Sequence, residues 1–352
     1  MKINRNFKEF RFRHRSKNNQ IIFTSKKVKD DSEVIDLIDN FLIDKNSFIF
    51  ESVEKGKIKG RYTIFGKNPD KIWEFNNKSS YLIKNNKKIK LNEDPKFLIE
   101  KIIESFKFKI PSNLPPIASI ISGYFSYDSI RYIEKIPNNC EDDLNIPDVR
   151  LMRPRTLIIY DNLKKKIFYI INVFQDEKIS NYQKKYLEIN TELFQHFNKS
   201  FSQSLKKNNS NKSKKIVVKS NTAKKKFLKM VEKAKKYIKL GDIFQVVLSQ
   251  RFEAKLTKSP LEIYKKLRIT NPSPFMFYFN FKDFQIIGAS PEILVRLRDN
   301  KITVRPIAGT RPRGKTLTQD RFYERDLLKD KKELSEHLML LDLGRNDAGK
   351  VS

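Results

Sequence analysis

The sequence predicts an α+β fold built on large, mostly antiparallel sheets. Three observations carry this. The chain has 352 residues, 39% hydrophobic and 12% aromatic, enough for one large or two ordinary domains with a sizeable core. Short runs rich in β-branched and aromatic residues recur, bounded by turn residues, with few helical stretches between them. One such run, ILVRLRDNKITVRPI, turns back on itself about Asp299 and Asn300, residue types that suit a tight hairpin turn.

In order along the chain, SEVIDLIDNFL reads as a helix with Ser32 as its N-cap. SFIFESV (47–53), RYTIFG and TLIIYD read as strands. NKSFSQSLKKNNSNKSKK (198–215) is polar and nearly free of large apolar groups. It cannot bury enough apolar area to offset its ordering entropy, and so reads as a linker. The chain then divides into an N-terminal region (1–197), a linker (198–219) and a C-terminal domain (220–352). KKKFLKMVEKAKKYIKLG places Phe227, Met230, Val231, Ala234, Tyr237 and Ile238 on one helical stripe, with Gly241 where a left-handed cap belongs. FQVVLSQRF reads as a strand with Phe244, Val246 and Leu248 on one face and Gln245 on the other. In SPLEIYKKLR, Ser259 and Glu262 form a capping box with Pro260 at the first helical position. MFYFNF reads as a strand and KELSEHLMLLDL as a helix.

The net charge is +32, which taken alone points to nucleic acid. The excess is mostly lysine spread among Asn and Ile, with no aromatic-interleaved basic stripe, so a solvated basic surface is the expectation and no nucleic-acid partner is expected. One cysteine, Cys140, cannot form an internal disulfide, and MKINRNFKEFRFRHR lacks the apolar stretch of a secretion signal. No apolar run approaches the roughly 20 residues that span a bilayer. A cytoplasmic protein with no membrane partner is expected.

Few residues point to chemistry by spacing alone. Glu333 and Glu336 lie i,i+3 on the last helix and can offer two hard oxygen donors to Mg²⁺ on one face; a solvated acidic face has the same spacing. Glu292, at a strand end after Gly288, Ser290 and Pro291, is a general acid if burial raises its pKa, or a turn cap. In PIAGTRPRG, Gly309 can present a backbone N–H and Thr310 a hydroxyl to a carboxylate. His337 beside the acidic pair reads as structural, and His14 and His196 carry no catalytic signal.

Together these pieces become specific. GDIFQVVLSQRF, NPSPFMFYF, GASPE, RPIAGTRPRG and KELSEHLMLLDLGRND occur in the order and spacing of the chorismate-utilising enzymes. FESVEKGKIKGRYTIFG, SGYFSYDSIRYIE and IPDVRLMRPRTLIIYD resemble the regulatory half of the anthranilate synthase large subunit. The resemblance runs from about residue 44 to 352, the linker excepted. It implies conversion of chorismate and ammonia to anthranilate and pyruvate, with Mg²⁺ on Glu333 and Glu336, Glu292 protonating the departing C4 hydroxyl, and Gly309 and Thr310 orienting the substrate. Isochorismate and salicylate synthases carry a water-activating lysine where this chain has Gln245, and aminodeoxychorismate synthase carries a lysine where it has Ala308. Both differences point to ammonia as the nucleophile. A glutamine amidotransferase subunit is the implied ammonia source. Feedback inhibition by tryptophan is also implied, in a pocket combining Glu51 and Ser52 with Asn271, Pro272, Ser273, Pro274, Phe275 and Met276, where Phe275 replaces the usual tyrosine. The family continues past GRND with a histidine base and further metal carboxylates. The resemblance therefore implies that these 352 residues alone lack synthase activity and leave sheet edges open to aggregation. Rival readings are aminodeoxychorismate synthase, a basic nucleic-acid binder, and a remnant that binds tryptophan without catalysis.

Overall fold

The computed structural model describes residues 1–29, 31–54, 57–58, 60–77, 79–198 and 216–352. Its helices and strands are, in chain order, α1 (Phe7–Arg15), β1 (Gln20–Lys27), α2 (Ser32–Phe41), β2 (Ser47–Glu51), β3 (Val53–Glu54), β4 (Lys57–Ile58), β5 (Tyr62–Asn76), β6 (Ser79–Lys84), β7 (Lys87–Leu91) and α3 (Pro95–Ser105). Then come β8 (Ser122–Phe125), β9 (Val149–Asp161), β10 (Lys166–Val173), α4 (Tyr182–Asn198), β11 (Val218–Ser220), α5 (Lys224–Leu240), β12 (Phe252–Ala254) and α6 (Pro260–Thr270). The last are β13 (Phe275–Asn280), β14 (Gln285–Ser290), β15 (Arg296–Arg298), β16 (Lys301–Thr303), α7 (Leu317–Lys329) and α8 (Lys331–Gly349). Two compact units result, Met1–Gln203 with Tyr264–Ser352, and Ser204–Ile263.

The first unit is organised by a ten-stranded sheet in the order β1-β10-β9-β5-β2-β13-β14, with β6 on β5, β7 on β6 and β8 on β9. Its pairings are antiparallel throughout, as the α+β reading expects. β13 and β14, from the region read as the C-terminal domain, extend the sheet of the N-terminal region through β2, where Phe279 pairs with Phe48 and Met276 with Glu51. One face gathers Phe48, Leu157, Ile159, Phe168, Ile170, Phe279 and Phe281 into a core closed by Leu114 and Ala118. A second cluster sets Trp73, Phe75, Val149 and Leu151 against Leu98 and Ile102 of α3. Apolar area removed from water at about 25 cal/mol per Å² is the main drive for both. His14, which carried no signal in the sequence, is a structural residue: it is buried, with Nδ1 3.0 Å from the Tyr182 hydroxyl, and links α1 to α4.

In the second unit, α5 forms as its stripe predicts. Gly241 caps it at φ +79°, its N–H bonding Ile238 O while the Asp242 N–H bonds Tyr237 O, a Schellman closure that glycine permits at no steric cost. The Ser259–Glu262 capping box is also present. The Glu262 N–H donates to Ser259 Oγ at 3.3 Å, and the Ser259 N–H donates to Glu262 Oε2 at 3.0 Å.

Three local expectations are corrected. Asp31, not Ser32, stands at the N-cap of α2, and Ser32 is its first helical residue. The expected strand at FQVVLSQRF is irregular backbone from 244 to 250, and strand begins only at β12. Alternation alone does not hold a chain extended. No strand pairs with this stretch among the described residues, and Phe244 and Val247 are 87% and 85% exposed. The strand read over 47–53 breaks at Ser52, leaving β2 and β3 on either side. Of the linker, residues 199–215 lie outside the described set, and Val218 and Lys219 belong to β11.

Candidate functional site

The loop between β16 and α7, residues 304–316, is where the chemistry-bearing motifs meet. Glu292 follows β14 in a small turn in which the Glu292 N–H donates to Ser290 Oγ at 3.2 Å and Ser290 Oγ donates to Glu292 O at 3.0 Å. The exposed Glu292 carboxylate then accepts the Ile307 N–H at 3.0 Å. The next residues are Ala308 and Gly309. Gly309 sits at φ +71°, and a Cβ there would come 2.8 Å from Glu333 Oε2 and 3.1 Å from Leu327 Cδ1. Four residues drawn from three motifs (Glu292, Ala308, Gly309 and Glu333) are thus brought to one place. The exposed Thr310 continues the same loop.

The sequence reading missed what holds this loop. Arg311 forks, Nε to Asp326 Oδ2 and Nη2 to Asp330 Oδ2, both at 2.6 Å, with Nη1 4.0 Å from Glu333 Oε1. Asp330 also caps α8, accepting the Lys332 and Glu333 N–H groups at 3.0 and 3.2 Å. Hydrogen bonds from Arg311 and from those N–H groups hold its carboxyl below its ordinary value. Arg313 and the Gly314 N–H grip Asp320 in the same way. One acid therefore both starts the helix carrying Glu333 and Glu336 and ties it to the loop. The signal was present: Asp330 and Glu333 have capping-box spacing.

Glu333 and Glu336 are half-buried on α8, one turn apart. No group of three or more His, Cys, Asp or Glu able to hold a metal occurs among the described residues. Two carboxylates on one helix face do fit an ion that keeps several waters and takes further oxygens from its substrate. Gln245 lies in the other compact unit.

The second candidate locus is the β2–β13 seam. Glu51 is only 4% exposed, and opposite it in the register is the buried Met276. Ser273 is also buried, and its carbonyl accepts the Val53 N–H at 3.1 Å, so the segment 271–276 is stitched to the chain just after Glu51 and Ser52. Asn271 ends at α6, its N–H bonded to Leu267 O, while Pro272 and Pro274 flank Ser273 and Phe275 stays exposed. Glu51 Oε1 accepts from the Tyr264 hydroxyl at 2.5 Å and from Arg268 Nε at 2.8 Å. Burial, and then the Glu51 charge, push the Tyr264 hydroxyl well above 10.0, so it remains a donor. Glu51 Oε2 is buried with no hydrogen-bond partner among the described residues. Tyr264 and Arg268 were not singled out in the sequence; their i,i+4 spacing on α6 was the available sign.

Residues 47–352 match the family described as chorismate binding enzyme. Anthranilate synthase component 1 of Cereibacter sphaeroides is 38% identical over 355 residues, covering 98% of this chain and 70% of that protein. The chain belongs to the chorismate-binding enzyme family. Within it, anthranilate synthase component 1 of Acetivibrio thermocellus is 40% identical over 346 residues, covering 96% of this chain and 69% of the relative. The solved anthranilate synthase component I of Streptococcus pneumoniae superposes with a TM-score of 0.68 at 34% identity, over 84% of this chain and 63% of that one. The menaquinone-specific isochorismate synthase of Escherichia coli shares the fold alone, with a TM-score of 0.58 at 14% identity. The chain thus spans roughly two thirds of the length of the family members it matches.

Proposed function

We propose that the chain belongs to an anthranilate synthase component 1, a lyase that as the whole protein converts chorismate and ammonia to anthranilate and pyruvate for tryptophan biosynthesis. The single observation that supports this best is the meeting of Glu292, Ala308, Gly309 and Glu333 around one loop. The 35–40% identity to proteins of that name carries the same way. Glu333 and Glu336 would hold Mg²⁺, which when bound would neutralise the ring carboxylate of chorismate. Glu292, exposed at the corner beside the loop, would protonate the C4 hydroxyl as it departs once bound substrate covers its carboxyl. The Gly309 N–H and the Thr310 hydroxyl orient the substrate. Ala308 presents no side-chain nucleophile, and the sequence has Gln245 where the water-activating family members carry a lysine, so C2 is left to ammonia. A glutamine amidotransferase subunit would deliver it.

The β2–β13 seam would be the tryptophan site. Glu51 Oε2, buried and unpartnered among the described residues, is an acceptor in the strand where an ammonium group would be read. Ser52 and the 271–276 segment would wall the ring. Among the described residues no helix is long and apolar enough to cross a membrane. The deciding experiment incubates the assembled enzyme with chorismate, Mg²⁺ and ammonium chloride and identifies the product by mass spectrometry. Anthranilate with free pyruvate is expected. A product that keeps the enolpyruvyl ether would overturn the assignment in favour of aminodeoxychorismate synthase.

A further inference from the structure

The turns β6–β7 and β13–β14 both line a cleft of about 650 Å³, to which none of Glu51, Glu292, Gly309 or Glu333 contributes. That volume suits a small organic molecule. Its floor is built, not accidental. β5 carries a bulge between Pro69 and Lys71, a device that re-aims side chains, and the Asp70 within it is gripped by Arg153 at 2.8 and 2.5 Å. Beside it lies Arg150, 2% exposed, 2.9 Å from Glu74 and stacked under Phe281. Its Nε is buried and has no hydrogen-bond partner among the described residues, an arrangement that costs free energy unless an acceptor reaches it.

Charge decides what such an acceptor would be. The floor acids are already neutralised: Asp70 by Arg153, Glu74 by Arg150 and Lys88, Glu177 by Arg155 and Lys185. Asp283 at the rim is 3.8 Å from Arg150. By contrast, Lys84, Lys178 and Lys282 line the cleft and have no carboxylate partner among the described residues. Asn85 and Asn86, held at φ +51° and +60° in the β6–β7 turn, add two side-chain amides at the same rim. A neutralised floor under an unneutralised cationic rim favours anions.

We propose that this cleft is a second ligand site, taking a small organic oxyanion whose carboxylate or phosphate groups are held by Lys84, Lys282 and Arg150. The test is calorimetric titration of the whole chain with citrate and, separately, pyrophosphate, at constant ionic strength in chloride. At least one probe is expected to bind saturably, one per chain. The variant Lys84→Ala/Lys282→Ala, whose changes fall at the end of β6 and in the β13–β14 turn, should weaken it about tenfold or more, the equivalent of one charge-assisted contact. The variant Lys236→Ala/Lys239→Ala removes the same charge from α5 and should leave binding unchanged. Citrate alone, pyrophosphate alone or both would identify the oxyanion class. Absence of saturable binding, an unaffected Lys84→Ala/Lys282→Ala variant, or an equal loss in the α5 control would overturn the proposal, the last by showing diffuse attraction to a highly basic chain.

Discussion

Glu51 shows how much a single buried charge asks of its neighbours. Arg268 and Tyr264 converge on one of its oxygens, and a buried pair broken on one side leaves an uncompensated charge. Arg268→Gln is therefore expected to cost about 3–5 kcal/mol in urea unfolding, with most of the loss recovered in Glu51→Gln/Arg268→Gln, which removes the charge as well as its partner. Asp176 gives a pH signature. Burial opposes its ionisation, but hydrogen bonds from Lys71 and Arg153 outweigh this and lower it from 3.8 to about 2. Because the folded value lies below the unfolded one, the paired carboxylate stabilises the fold above about pH 4, and that contribution disappears as pH falls through about 2. Asp176→Asn should flatten this acid limb of stability, measured by unfolding at a series of pH values. None of these partners was visible in the sequence, since Glu51 and Arg268 lie 217 positions apart.

At the level of elements, loop and cap are the sensitive parts. Gly309 needs both its positive φ and the space that Glu333 occupies. Gly309→Ala should cost about 1–2 kcal/mol from the backbone alone, and the displaced Glu333 should weaken Mg²⁺-dependent chorismate binding, read by titration with and without the metal. Ser259→Ala removes one half of the capping box and is expected to destabilise by about 1 kcal/mol, a loss measurable by thermal unfolding. The cap was legible because its bonds span three residues. The irregular path at 244–250 was not, because a strand exists only with a neighbour, and the period-2 pattern carries no information about which neighbour is present.

For the molecule as a whole, the decisive joint is β2 against β13. Phe48 and Phe279 pair across it, with ring centroids 5.6 Å apart, and Phe279 stacks on Phe281 at 5.1 Å. Phe279→Ala should cost about 3–5 kcal/mol. It should also lower the denaturant m-value, because it loosens the strands that residues 275–290 add to the sheet.

By itself the sequence determined what short-range bonding can encode. It specified the α5 stripe with its Gly241 cap, the capping box of α6, the hairpin turning at Asp299 and Asn300, both at positive φ, and the motifs that mark the family. Each depends on atoms a few positions apart, so the residue types suffice. Only the tertiary structure decided that β13 pairs with β2, that Arg268 reaches Glu51, that Ile307 bonds Glu292 and that Gly309 rests on Glu333. Those choices minimise buried unpaired charge and exposed apolar area over the whole chain, and no local pattern contains that sum.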